Sequence, residues 1–182
     1  MEPITLASAS PQRRAILEQL GIPFEVRPAN VPEREEGEPA EVALENARAK
    51  AQAVEGKRVL GVDTVVALDG RIYGKPVDED EARTTLAALA GRTHAVWSGI
   101  CLTGAGEKVE RTAVTFRELS ADMVEWYVAS GEWRNRAGGY AIQGRGAALV
   151  TRIEGDYTNV VGLPVAAFTE LLRTLEFPGK LL

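Results

Sequence analysis

The 182-residue sequence is poor in cysteine and histidine, and both scarcities exclude kinds of site. Cys101 is the only cysteine, which excludes an intrachain disulfide and a zinc centre built from several cysteines. Its apolar, β-branched surroundings indicate a small core residue. His94, the only histidine, lies inside a β-branched run, and we interpret it as structural. Since no Gly-x-Ser-x-Gly sequence is present either, the chain does not favour catalysis by a serine–histidine pair.

Long apolar runs and excess positive charge are also missing. No apolar run reaches the ~18 residues of a membrane span, and the N-terminus lacks a charged-then-apolar signal pattern. We therefore expect a cytoplasmic protein that binds no membrane. The net charge of −5 argues against a broad surface for a nucleic acid polymer, so any phosphate site would be compact. The length favours a single domain over residues 1–182, with two tightly joined lobes as the alternative.

The pattern of apolar residues and turn signals predicts an α/β protein. Strands and helices intermix, with hairpins in the middle of the chain, which favours a mixed sheet flanked by helices over a doubly wound parallel sheet. The predicted strands are 4–6, 24–27, 58–63, 64–68, 71–73, 93–102, 108–116 and 147–153. The predicted helices are 11–20, 39–55, 78–89, 120–129 and one introduced by 160–164, with a loose tail after Phe177.

The first strand, 4–6, leads through a turn of small residues into the helix 11–20, an arrangement suited to anion binding. Ser10 is a natural N-cap for this helix. Arg13 and Arg14 lie in the first turn, where cations are unfavourable unless an anion is bound there too. The alternative is an ordinary helix cap with two solvated arginines. The sequence contains neither a Walker A motif nor a Gly-x-Gly-x-x-Gly turn between strand and helix.

Carboxylates and lysines elsewhere could complete a phosphate site. Asp63 ends a predicted apolar strand, where it either caps the following turn or serves as a general base or metal ligand. Thr64 adds a hydroxyl beside it. Because clusters of cysteine or histidine are missing, a metal would be a hard cation such as Mg²⁺ held by carboxylates, with Asp63 and Glu33 as candidates. Lys50 and Lys75 lie near turns and, with the arginines, would neutralise a polyphosphate.

Seven short segments together carry a resemblance over nearly the whole chain. With these segments in their order along the chain, the sequence resembles the Maf family of nucleoside triphosphate pyrophosphatases. The segments are 6–14 (LASASPQRR), 50–51 (KA), 61–65 (GVDTV), 74–76 (GKP), 91–94 (GRTH), 137–144 (AGGYAIQG) and 160–164 (VVGLP). The resemblance implies a twisted mixed sheet of the Maf and inosine-triphosphatase type, with two lobes around a cleft.

The resemblance also implies an activity and a set of site residues. The activity is hydrolysis of the phosphoric anhydride bond of a nucleoside triphosphate, giving the monophosphate and pyrophosphate with a divalent cation, Mg²⁺ or Mn²⁺. Asp63 corresponds to the proton acceptor and, with Glu33, to the metal site. The residues that correspond to the phosphate site are Ser8, Arg13, Lys50 and Lys75.

Three positions correspond to residues associated with the choice of base: Gln12, Thr64 and Gln143. Thr64 after the aspartate and Gln143 before a glycine match the branch of the family that acts on dTTP and UTP. That branch typically has Arg where this chain has Gln12, and an amide offers neither the charge nor the bidentate donors of a guanidinium. A pyrophosphatase that prefers 7-methyl-GTP and a non-catalytic nucleotide-binding regulator of septum formation are the alternatives.

The three tryptophans leave the oligomeric state open. Trp126 and Tyr127 are predicted to pack inward from the helix 120–129. Trp97, Trp126 and Trp133 either belong to the core or contribute to the surface of a homodimer.

Overall fold

The structure is a computed structural model that describes residues 2–175. Described strands are β1 (Ile4–Leu6), β2 (Phe24–Val26), β3 (Val59–Leu68), β4 (Arg71–Tyr73), β5 (Thr93–Leu102), β6 (Gly106–Phe116) and β7 (Val150–Glu154). Described α-helices are α1 (Pro11–Gln19), α2 (Pro39–Gln52), α3 (Glu79–Leu89), α4 (Ala121–Val128), α5 (Tyr157–Val161) and α6 (Val165–Thr174), with 3₁₀ turns at Ala137–Gly139 and Gly144–Ala148.

Within residues 2–175 the strands form one mixed seven-stranded sheet, as the sequence predicts. The strand order is β2-β1-β3-β5-β6-β7, and β4 pairs with β3. β1 runs parallel to β2 and β3, whereas β3, β5, β6 and β7 form an antiparallel series. The predicted N-cap is confirmed, since Ser10 caps α1, and Gly21 follows the C-terminal end of this helix with a positive φ of 65°.

The prediction that a strand ends at Asp63 is wrong, because β3 continues through it to Leu68. β5 pairs with β3 from Leu60 to Ala67 and so occupies one edge of the strand. The other edge is shared between β1, which pairs at Val59 and Leu60, and β4, which pairs from Val66 to Leu68. The two neighbours therefore leave the middle of this edge open, and Asp63 lies beside the opening.

Two hydrophobic clusters pack on the same face of the sheet, one at each end of β3. Leu60 and Val62 belong to a cluster with α1 and α6, and Val66 and Leu68 to a cluster with α3 and α4. Thr64 lies between them on the same face because side chains alternate along a strand. The predicted two lobes around a cleft correspond to these clusters.

Helix α2 covers the opposite face and lies unusually close to it, because glycines stand beneath it. A Cβ on Gly61 would lie 2.0 Å from the carbonyl oxygen of Ala47, and one on Gly99 would lie 2.3 Å from that of Ala43. Real Cβ atoms do not approach carbonyl oxygens so closely, so the two strand glycines permit the contact. The helix can thus bring polar side chains down to β3.

Other differences from the predicted elements are local. The predicted strand 147–153 begins only at Val150, because a 3₁₀ turn ends at Ala148. Helix α5 was missed, since its five residues are rich in the β-branched types that have low helix propensity. The inward packing of Trp126 is wrong, since this side chain is 43% exposed, while Tyr127 and Trp133 are buried. The predicted loose tail after Phe177 lies outside the described residues.

No helix in the described part of the chain is long and apolar enough to cross a membrane. The assignment of residues 1–182 to a single domain stays a prediction.

Candidate active site

A cleft of about 500 Å³ opens between the two hydrophobic clusters. It is lined by the loop before α1, the middle of β3, the segment around Glu33 and the turns after α4. All nine residues that the family resemblance assigns to this site line the cleft. They are Ser8, Gln12, Arg13, Glu33, Lys50, Asp63, Thr64, Lys75 and Gln143.

Arg13 reaches across the cleft floor from the first turn of α1. Its Nε donates to the carbonyl oxygen of Gly162 at 2.9 Å, Nη1 to Ser8 Oγ at 2.8 Å and Nη2 to Thr64 Oγ1 at 3.2 Å. These acceptors are neutral, and they use three of the five N–H donors of a guanidinium. A buried cation with two free donors and no carboxylate partner among the described residues is ready to bind an anion.

Lys50 joins the two carboxylates of the site. Its Nζ lies 2.6 Å from Asp63 Oδ1 and 2.7 Å from Glu33 Oε1. Lys75 Nζ, which is half exposed, lies 3.3 Å from Glu33 Oε2. The predicted lysines and carboxylates therefore form one connected network. Asp63 and Lys50 are buried, and the Glu33 side chain is 34% exposed.

The network controls the charge of its members. Burial alone would raise the pKa of Glu33, but the hydrogen bonds and charges of Lys50 and Lys75 outweigh it and hold this pKa below the ordinary value. Burial lowers the pKa of Arg13, and the negative charges of Asp63 and Glu33 oppose that effect. Glu33 is therefore an anion at neutral pH, available to a cation.

The three positions predicted to contact the base lie at different places on the cleft wall. Gln12, in the first turn of α1, accepts a hydrogen bond from Ser10 Oγ at 3.2 Å through Oε1. Thr64 Oγ1 lies 2.8 Å from Ser98 Oγ and also accepts from Arg13. Gln143 is exposed and precedes the second 3₁₀ turn. Their roles in choosing a base stay predictions.

The structure removes Arg14 from the predicted anion site. Its side chain points to solvent and pairs with Glu18 one turn later on α1, at 2.8 Å. Gln12 and Arg13 line the cleft, whereas Arg14, about 100° further round the helix from Arg13, does not. The alternative of a solvated arginine is correct for Arg14.

Sequence reasoning missed three residues around the site. Asn46 on α2 is buried and donates to Asp63 Oδ2 at 3.0 Å. Tyr140 and Arg136 line the opposite wall, and the half-buried Arg136 side chain has no hydrogen bond or ion pair among the described residues. Helical spacing could have identified Asn46, because it follows the buried Val42 by one turn and precedes Lys50 by another.

The site holds too few ligands for a metal centre made by protein alone. Across residues 2–175, no group of three or more histidine, cysteine, aspartate or glutamate side chains could hold a metal ion. Magnesium instead is commonly bound by one or two carboxylates together with substrate phosphates. Asp63 and Glu33, which both contact Lys50 Nζ, suit that mode of binding.

His94 lies in the core beneath the cleft and contacts Tyr140. Its Nε2 is 2.8 Å from the Tyr140 hydroxyl, its ring meets Phe116 edge to face, and its Nδ1 has no partner within the described residues. Burial lowers the pKa of His94 to about 4. The ring is therefore neutral in the folded protein at pH 7.

This depressed pKa predicts that acid destabilises the fold through His94. The unfolded chain, with a histidine pKa near 6.5, binds a proton that the folded chain rejects between pH 6.5 and 4. We expect a loss of about 2 kcal/mol between pH 7 and 5 from this group, at about 1.4 kcal/mol per pKa unit. Urea unfolding at both pH values measures it, with His94→Gln as the non-titrating control. Equal losses in the two proteins would contradict the prediction.

Comparison with known proteins gives a consistent set of relatives. The family model described as Maf-like protein matches residues 3–175. A protein of Anaeromyxobacter sp. is 50% identical over 96% of this chain and 90% of its own length. One of Pyrococcus furiosus is 47% identical over 95% of both chains, and one of Deinococcus radiodurans is 47% identical over 93% of this chain and 91% of its own. All three are named dTTP/UTP pyrophosphatase.

Proposed function

Because this chain belongs to the Maf family, we propose that it is a hydrolase that converts a nucleoside triphosphate to the monophosphate and pyrophosphate. The observation that carries the proposal is the network in one cleft: a buried aspartate held by Lys50 beside a buried, anion-ready Arg13. The names of the relatives support dTTP and UTP as substrates.

The cationic residues of the cleft bind the triphosphate in this proposal. Arg13 offers two free N–H donors and is already oriented by Ser8, Thr64 and the Gly162 carbonyl. Lys75 is half exposed and can turn from Glu33 to a phosphate oxygen. Lys50 is buried between two carboxylates, so it acts from a fixed position. Preorganised positive charge of this kind stabilises the charge that develops on the phosphate oxygens.

Asp63 is the proposed proton acceptor. Lys50 donates to one of its oxygens and Asn46 to the other, which fixes the carboxylate, and its remaining lone pairs can orient a water and accept its proton. The water oxygen bonds to the α-phosphorus, and the bond from that phosphorus to the oxygen bridging to the β-phosphate breaks. Pyrophosphate leaves with the bonding electron pair.

A divalent cation fits this site, and Asp63 and Glu33 would hold it. Both carboxylates line the cleft and contact the same ammonium group, Lys50 Nζ, and these contacts do not use all of their oxygen lone pairs. When bound with substrate phosphates, such a cation supplies positive charge that neutralises the triphosphate. We propose Mg²⁺, since hard oxygen ligands suit it, with Mn²⁺ as the second candidate.

Base selection is proposed to lie at Gln12, Thr64 and Gln143. Gln12 and Gln143 present amide groups to the cleft, and an amide can donate and accept hydrogen bonds at the edge of a pyrimidine. Location in the cytoplasm and assembly into a homodimer stay predictions.

Pyrophosphate release from a panel of nucleotides tests the proposed function. We expect release from dTTP and UTP in the presence of Mg²⁺, loss of release on addition of EDTA, and recovery on addition of excess Mg²⁺. The panel includes 7-methyl-GTP, GTP, ATP and CTP. Preference for 7-methyl-GTP would reject pyrimidine specificity while keeping the activity.

A second outcome would reject the activity itself. Saturable binding of nucleotides without turnover under Mg²⁺ or Mn²⁺ would indicate a regulator that uses nucleotide as a signal. The Asp63→Asn variant is the inactive control for the pyrophosphate assay, because it removes the proposed proton acceptor and keeps the shape of the side chain.

A further inference from the structure

The segment that carries Glu33 has no regular secondary structure. Residues 28–37 form no helix or strand in the described structure, and their backbone groups pair with no other backbone group there. The segment is also largely exposed. Something other than regular secondary structure must therefore hold Glu33 beside Asp63, since an unpaired surface segment is otherwise free to move.

Asn46 binds the backbone of this segment through its side chain. Its Oδ1 accepts from the backbone N–H of Arg34 at 2.8 Å, and its Nδ2 donates to the Arg34 carbonyl oxygen at 2.9 Å. The same Nδ2 donates to Asp63 Oδ2 at 3.0 Å. One buried amide thus uses both of its N–H donors and its oxygen, and it connects the backbone next to Glu33 with the carboxylate of Asp63.

The arrangement is specific to an amide. Asparagine is the only side chain of this length with two donors and an acceptor on one planar group, so aspartate and alanine cannot reproduce all three bonds. Lys50, one helical turn later on α2, contacts the other oxygen of Asp63 and also Glu33. Asn46 and Lys50 therefore both bind Asp63 from one face of the helix. Each also holds the Glu33 segment, Lys50 through the Glu33 carboxylate and Asn46 through the Arg34 backbone.

We propose that Asn46 is a positioning residue that fixes the Asp63 carboxylate and the Glu33 segment relative to each other, so that both carboxylates face the bound triphosphate as a pair. This inference rests on the proposed function. Asn46 touches neither water nor substrate in this role. It acts through Asp63, whose second oxygen it orients, and through Arg34, whose backbone determines where Glu33 stands.

Two variants and one control test the proposal by steady-state kinetics with Mg²⁺ and dTTP. Asn46→Ala removes all three bonds, and Asn46→Asp keeps the acceptor for Arg34 but loses the donors and repels Asp63. We expect kcat to fall about 30-fold in both, within the range found for residues that orient metal-site ligands. KM for dTTP should change by less than about threefold, because Arg13 and Lys75 remain.

The control is Glu45→Ala, which breaks the exposed 2.6 Å ion pair of the Arg34 side chain and leaves Asn46 intact. Exposed pairs contribute little, so kcat should stay within about twofold of the wild type. A readout independent of turnover is hydrogen exchange of the Arg34 amide, followed by NMR. We expect it to be at least about tenfold faster in Asn46→Ala and unchanged in Glu45→Ala.

Each outcome decides the proposal. A kcat within about threefold of wild type in a folded Asn46→Ala protein would overturn it. So would loss of cooperative melting in both Asn46 variants, which would make the residue a requirement of the fold alone. Failure of the wild-type protein to release pyrophosphate would reject the proposed function. If the Arg34 amide still exchanged faster in Asn46→Ala, the structural part of the proposal, that Asn46 holds the Glu33 segment, would be kept.

Discussion

Replacement of Asp63 by asparagine is expected to lower kcat for pyrophosphate release about 10³-fold, the middle of the range for removal of a general base. The amide has nearly the same shape but accepts no proton from water. Its own N–H group would also face a donor, Lys50 Nζ or Asn46 Nδ2, depending on its orientation. KM should change much less, because Arg13 and Lys75 still bind the triphosphate.

The fold should survive this change with reduced stability. Lys50 keeps Glu33 as a partner at 2.7 Å, so its buried ammonium group is not left without a counter-charge. We expect a loss of about 1–3 kcal/mol from the mismatched donors, measured by urea unfolding. Asp69→Asn is the matched control, since Asp69 is an exposed aspartate in the turn that follows β3. A folded Asp63→Asn protein with near wild-type kcat would remove Asp63 from the reaction.

Substitution of Gly61 by alanine is expected to have the largest effect on stability. The new methyl group would lie 2.0 Å from the Ala47 carbonyl oxygen and 2.7 Å from the Ala51 nitrogen, and both are helix backbone that cannot turn aside. Helix α2 must therefore move away from the sheet. We expect a loss of about 3 kcal/mol, the upper part of the range for overpacking. For a protein of this size that corresponds to a fall in Tm of roughly 6–12 °C.

The same substitution should reduce activity below the melting temperature, because α2 carries Asn46 and Lys50. Gly74→Ala is the stability control: its added Cβ meets nothing within 4 Å and its φ is not in the left-handed region. Thermal melting of the two variants beside the wild type measures the difference. Equal melting temperatures in all three proteins would show that the close approach of α2 does not depend on Gly61.

Local chemistry explains why the sequence predicts so much of the fold. Ser10 caps α1, Asp69 and Gly70 turn β3 into β4, and Asp78 caps α3, each through contacts within a few residues. The resemblance supplied the site residues, and the structure brings all nine of them to one cleft. Arg14, which the sequence also suggests for the anion site, is not among them, because its side chain pairs with Glu18 on the exposed side of α1.

What escaped prediction depends on contacts between distant parts of the chain. The sequence predicts a break in the strand at Asp63, because a buried charged residue is costly without partners. In the structure β3 is continuous, because Asn46 and Lys50 on α2 supply those partners. The glycines at 61 and 99 were a usable signal, since glycine inside a strand indicates a close backbone approach. Which helix makes that approach follows only from the three-dimensional structure.

Product analysis of dTTP turnover in ¹⁸O-labelled water tests the central claim most directly. If Asp63 directs water to the α-phosphorus, the wild-type protein with Mg²⁺ will form dTMP and pyrophosphate in equal amounts, and the label will appear in dTMP. The Asp63→Asn variant will form neither at a comparable rate. Formation of dTDP with orthophosphate, or label in pyrophosphate with none in dTMP, would contradict the claim.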